Sequence, residues 1–122
     1  MEVVAVIGAS SDPTRYSYKC IHLLQEYGHR PIPVHPREEK VLGLGVVKNL
    51  ADLAQKEKVD TITVYVNPAI SDKYEKDIIA VHPRRVIFNP GAENPRLENA
   101  LEENGIKVEN ACTLVLLRTD QF

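Results

Sequence analysis

Tryptophan is missing from this 122-residue chain, methionine occurs once, and only two cysteines are present, Cys20 and Cys112. Two thiols without a C-x-x-C pair build neither a disulfide framework nor a cysteine zinc site. The four histidines, His22, His29, His35 and His82, lack the i, i+4 spacing of a helical metal site. Neither G-x-S-x-G nor a Walker A sequence occurs. An excess of one charge is also lacking: 15 Lys+Arg against 17 Asp+Glu gives a formal net charge of -2. Nothing in that balance draws the whole chain to nucleic acid. The longest apolar run, Val3 to Ile7, falls far short of the roughly 20 residues a membrane helix needs. The start, Met1-Glu2, has no basic and apolar leader. The expectation is one domain spanning 1–122, in a reducing cytoplasm, with no metal and no catalytic set.

What is present is an alternation of strands and helices. Val3-Val4-Ala5-Val6-Ile7 is apolar on both parities, the pattern of a strand buried on both faces. Gly8 ends it, and a polar loop follows. Cys20, Ile21, Leu24 and Tyr27 then form a helical stripe, closed by Gly28. Ile32-Pro33-Val34 reads as a short or irregular strand between prolines. A loop runs from His35 through Gly43 and Gly45, Val46-Val47 forms a minimal strand, and Asn49 caps a short helix bearing Leu50, Leu53 and Ala54. Thr61 to Val66 is a strand stopped by Asn67-Pro68. Ser71 is expected to cap a helix with Ile70, Tyr74 and Ile78 on one face. Arg85 to Phe88 is a strand ended by Asn89-Pro90-Gly91. Asn94-Pro95 starts a helix, Ile106 to Val108 is a last strand, and Ala111 to Leu117 is expected to be a short helix. Strands alternating with helices indicate an α/β fold, a doubly wound, mostly parallel β-sheet with helices on both faces.

In such sheets ligands sit beyond the strand carboxyl ends. The first turn, Gly8-Ala9-Ser10-Ser11, offers a tight bend, two hydroxyls and a helix N-terminus, the ingredients of a phosphate site. Arg15 adds a cation, and Ser17 is expected to cap the helix or to face the ligand. His35-Pro36-Arg37 ends the second strand with donors and no carboxylate before Glu38, which favours a phosphorylated ribose. NADP and coenzyme A both fit. Val66 and Pro68 make a stiff apolar wall, and Gly91 lies at the same rim. Glu93 is the one candidate general base, without a partner in the sequence. Cys20 reads as core, and packing also accounts for Cys112.

Taken together, Val6-Ile7-Gly8-Ala9-Ser10-Ser11-Asp12-Pro13, Arg15, Ser17, Ile32 to Pro36, Asn89 to Asn94 and Gly105 to Val108 before Cys112-Thr113 resemble the small coenzyme A-binding proteins. These resemble in turn the nucleotide-binding domain of the succinyl-CoA synthetase α subunit. The resemblance implies a Rossmann-like fold with coenzyme A in the crevice. By it, Gly8, Ser10, Ser11, Arg15 and Ser17 hold the pyrophosphate. His35, Pro36 and Arg37 border the adenosine and its 3′-phosphate, and Val66, Pro68 and Gly91 flank the nucleotide or pantetheine arm. Many relatives have Asn where this chain has His35. The synthetase's phosphohistidine domain and partner subunit have no counterpart in the sequence. The expected function is therefore a non-catalytic coenzyme A- or acyl-CoA-binding carrier, sensor or protein partner. The alternatives are an NADP-linked oxidoreductase or reductase subunit, and a docking subunit with a vestigial crevice.

Overall fold

In the computed structural model, which describes residues 1–122, the chain begins with β1 (Val3–Ile7), α1 (Tyr16–Glu26) and β2 (Arg30–Val34). A hairpin, β3 (Lys40–Val41) and β4 (Leu44–Gly45), and a 3-10 helix (Leu50–Gln55) lead to β5 (Thr61–Val64). Next come α2 (Pro68–Ser71), a 3-10 turn (Asp72–Tyr74), α3 (Glu75–Val81) and β6 (Arg85–Phe88). The last elements are α4 (Pro95–Glu103), β7 (Lys107–Asn110) and α5 (Thr113–Arg118).

Five strands form one sheet in the order β2-β1-β5-β6-β7, and every pairing in it is parallel. β1 lies between β2 and β5, so the winding reverses between β1 and β5. That reversal opens a crevice beyond the strand ends. The apolar run of β1 follows from burial on both sides. Ala5 and Ile7 join a core with Leu50, Leu53, Ile78, Leu97 and Leu101. Val4 and Val6 join a smaller one with Cys20, Ile21, Leu24, Leu114 and Leu117. The expected doubly wound fold is therefore found, with helices on both faces.

Several local expectations are corrected. β2 is regular from Arg30 to Val34 despite its two prolines, because it is an edge strand. The Pro33 carbonyl accepts from Val47 N (2.8 Å), so this residue's backbone groups face away from β1 and its missing N–H removes no bond to β1. The expected loop after His35 contains the hairpin β3–β4, whose two turn residues, Leu42 and Gly43, have φ of 52° and 77°. Two positive φ values make the tight turn that suits a hairpin, and leucine there gave no turn signal. Val47 forms an isolated parallel bridge with Val34. β5 ends at Val64, not Val66. Asn67, not Ser71, caps α2, its side chain accepting from Ile70 N at 3.0 Å. Ser71 is the buried last residue of that helix.

Candidate functional site

The crevice at the strand carboxyl ends has a volume of about 650 Å³. The first turn contributes Gly8, Ala9 and Ser10, and the start of α1 contributes Thr14 to Ser17. His35 and Glu38 enter from beyond β2. Tyr65, Val66, Asn67 and Ile70 close the side after β5, and Asn89 to Ala92 the side after β6. Seven of the residues singled out in the sequence thus share one cavity: Gly8, Ser10, Arg15, Ser17, His35, Val66 and Gly91. Ser11, Pro36, Arg37 and Pro68 do not line it.

Gly8 has φ +88°, and a Cβ there would stand 2.7 Å from Val66 Cγ1. The glycine is required by the close approach of the β1 and β5 ends, before any ligand is considered. Its amide and that of Ala9 both donate to the Val34 carbonyl (3.1 and 3.2 Å), which ties the first turn to β2.

Most helix starts carry a side-chain cap and α1 does not; α3, which continues the Asp72–Tyr74 turn, also lacks one but has Glu75 and Asp77 in its first turn. Asn49, Asn67 and Asn94 each place a side-chain oxygen on an amide of the helix they precede. At α5, Asn89 Oδ1 accepts from Thr113 N at 2.9 Å. α1 begins after Arg15 with no side-chain cap and no acidic residue in its first turn. Ser17, expected as a cap, is inside the helix and buried. Free first-turn amides and a positive helix end therefore face the cavity. Arg15 takes part in no ion pair. The nearby Asp12 is given over to Thr14, accepting from its amide (2.9 Å) and hydroxyl (2.8 Å), and those bonds hold its carboxyl below the ordinary carboxylate range.

The end of β2 is arranged otherwise than the basic segment suggested. His35 Nδ1 accepts from the amides of Arg37 and Glu38, both at 3.0 Å. Its proton is on Nε2, which remains as a donor. Arg37 is exposed and outside the cavity wall, whereas Glu38 is part of it. The Glu38 carboxylate accepts from Ser11 N (2.7 Å) and Ser11 Oγ (3.1 Å), and these bonds lower its pKa. Ser11 is therefore engaged by the protein, and the cationic filter read from His35, Pro36 and Arg37 contains a carboxylate. In sequence Glu38, four residues beyond a strand, looks like any solvated loop residue, and only the fold brings it to the wall.

Pro68 occupies the first position of α2 and its carbonyl faces Asn94 Nδ2 (3.4 Å), so Ile70, 41% exposed, supplies the apolar wall instead. Exposed Tyr16 stands across from it at the mouth. Asn89 anchors the far side: its Nδ2 donates to Thr63 Oγ1 (2.6 Å) and to the Val64 carbonyl (2.9 Å). Gly91 N donates to Glu93 Oε1 (2.9 Å), which occupies the candidate base in its own turn, away from the cavity wall. Behind the cavity, the Tyr65 hydroxyl is buried beside Cys20, Cys112 and Thr113 without a partner at hydrogen-bonding geometry. Burial pushes the Cys20 thiol up to about 12, so it stays protonated at neutral pH. No three His, Cys, Asp or Glu side chains converge as metal ligands. No helix is long and apolar enough to cross a membrane.

Comparison with known proteins fits this geometry. A crystal structure of an uncharacterized protein superposes with a TM-score of 0.89 at 37% identity, covering 100% of this chain and 98% of that one. Cell-free ID.343 from Thermus thermophilus gives 0.88 at 33% identity, covering 99% and 90%. The α subunit of the ADP-forming acetate–CoA ligase II of Pyrococcus furiosus is 32% identical over 105 residues, 82% of this chain. The aligned part is 23% of that subunit's length, so the chain spans about a quarter of this curated relative. The family model of the CoA binding domain matches residues 2–118. A parallel sheet whose open end presents an uncapped helix, together with a match over nearly every residue, leads to one assignment: the chain belongs to the CoA binding domain family.

Proposed function

We propose that the chain binds coenzyme A or an acyl-CoA in this crevice and acts in the cytoplasm, as a single domain, without catalysis of its own. Its role is that of a carrier, a sensor or a protein partner in acyl-CoA metabolism. The observation that carries the reading is the start of α1, the helix end at the cavity that no side chain caps, with an unpaired Arg15 beside it. A diphosphate supplies the acceptors those amides lack, and Arg15 adds a charge-assisted bond. Ser10 and Ser17 line the same wall, and Ile70, Val66 and Tyr16 provide surface for an adenine ring or a pantetheine arm. The relative's name as an acetate–CoA ligase supports the same ligand class.

The NADP reading drew on a basic rim at His35 to Arg37. With Glu38 in the wall and Arg37 outside it, that rim gives neither the 2′-phosphate of NADP nor the 3′-phosphate of coenzyme A a charge advantage, so the preference for coenzyme A rests on the family match. Isothermal titration with coenzyme A, dephospho-coenzyme A and NADPH is the test. Saturable one-site binding of coenzyme A, with NADPH silent, is expected. No heat with coenzyme A overturns the reading. Equal affinity for coenzyme A and its dephospho form fits an Arg37 outside the cavity wall and removes the 3′-phosphate contact that the resemblance implies for it.

A further inference from the structure

Ser11 offers two donors side by side, an amide and a hydroxyl, one residue past the cavity-lining Ser10. Both are already taken by one carboxylate, Glu38, at 2.7 and 3.1 Å. A carboxylate and a phosphate compete for such donors, because each is an anion with paired acceptor oxygens. The other carboxylate of the turn, Asp12, faces Thr14 instead. Glu38 is also held from behind, its own amide donating to His35 Nδ1 at 3.0 Å. The side chain thus lies in the cavity wall as an anion supplied by the protein, on a braced backbone. Its nearest cation in sequence, Arg37, makes no ion pair with it.

We propose that Glu38 is a specificity-determining residue of the crevice: its carboxylate occupies the Ser11 donors, so only a ligand whose anion outcompetes it gains them. The identity of the full ligand rests on the coenzyme A reading, but the competition for Ser11 does not. A diphosphate, with more charge than a carboxylate, displaces Glu38, whereas a singly charged ligand leaves it in place. In the displaced state the turn from His35 to Glu38 loses its tie to the first turn. Glu38 therefore lowers affinity for phosphates generally and sets a threshold on the ligand's charge.

The test uses Glu38→Gln, which keeps size and an acceptor for Ser11 but removes the charge. Inorganic pyrophosphate and coenzyme A are titrated into the full chain by calorimetry. Glu38→Gln is expected to bind pyrophosphate about tenfold more tightly than the wild type. Adding Ser11→Ala to Glu38→Gln, which removes the hydroxyl and leaves the amide, is expected to erase part of the gain. In the wild type, pyrophosphate is expected to shift the Ser11 amide resonance. Unchanged or weaker pyrophosphate binding in Glu38→Gln overturns the proposal, because a carboxylate that merely staples the two turns together would help binding. An increase with pyrophosphate and no binding of coenzyme A by either protein leaves Glu38 in this role and overturns the coenzyme A reading alone.

Discussion

The two ends of the sheet treat charge in opposite ways. At the amino end, Glu2 accepts from Thr61 Oγ1 (2.6 Å) and pairs with Arg84 (3.1 Å) and Arg85 (3.4 Å). Arg85 also reaches Glu109 (3.3 Å), and its guanidinium lies over the Phe122 ring, 4.4 Å from the centroid. Asp60 takes the Val3 amide at 2.8 Å. Glu2, Arg84, Arg85 and Glu109 are thus matched to one another, although Lys58 and Lys107 beside them make no ion pair. At the carboxyl end Arg15 is unpaired, the α1 amides are uncapped, and the one anion of the first turn's donors, Glu38, comes from a separate loop. One end joins neighbouring strands to the chain termini, while the other keeps binding capacity unspent.

The strongest way to break the contrast is Gly8→Ala. A Cβ 2.7 Å from Val66 Cγ1, on a backbone at φ +88°, forces the β1 and β5 ends apart. A loss of about 3 kcal/mol is expected from urea unfolding, with loss of coenzyme A binding. Arg85→Met tests the other pole. Its side chain is 13% exposed, and its removal strands Glu109 and part of the Glu2 pairing. About 2 kcal/mol of stability is expected to go, with coenzyme A affinity within twofold of the wild type. Arg15→Ala reverses that pattern: stability within about 0.5 kcal/mol of the wild type, and affinity for coenzyme A about tenfold weaker, or about 1.4 kcal/mol. Should Arg15→Ala unfold the protein, or Arg85→Met abolish binding, the division between the poles fails.

The smallest effect is a pH dependence at the amino end. Burial holds His29 below its ordinary pKa of 6.5, and its Nδ1 accepts from the Glu2 amide at 3.0 Å. The unfolded chain therefore takes up this proton more readily than the folded one. The His29 contribution is complete above about pH 6.5 and is lost as pH falls through the lower folded value. A Tm that drops between pH 7 and pH 5, and drops less in His29→Gln, is the expected outcome. Equal drops in both proteins remove the assignment.

Much of the fold was legible because local chemistry decides it. An all-apolar five-residue run means a central parallel strand, and Asn94-Pro95 means a helix start, wherever they occur. The crevice was legible to the extent that the strand order places turns together. The remainder depended on contacts between distant segments. Arg37 and Glu38 are adjacent in sequence, yet Glu38 enters the wall and Arg37 does not, because only Glu38 meets Ser11. Gly8 looked like a concession to a ligand and is equally a concession to Val66. Ser17 and Ser71 have the chemistry of caps, but the helices begin one or more residues earlier, at Tyr16 and Pro68, and cover them.

The prolines of β2 also bear on assembly. Pro33, and Pro31 two residues before it, present no amide hydrogen on the sheet's outer margin, and Val47 already occupies the Pro33 carbonyl. A second polypeptide cannot zip onto that flank. The opposite flank, Lys107 to Asn110, has no proline and alternates the charged Lys107 and Glu109 with Val108 and Asn110. Sheet-to-sheet joining of two copies is therefore open only at that flank, on the side of the sheet away from His35 and Glu38.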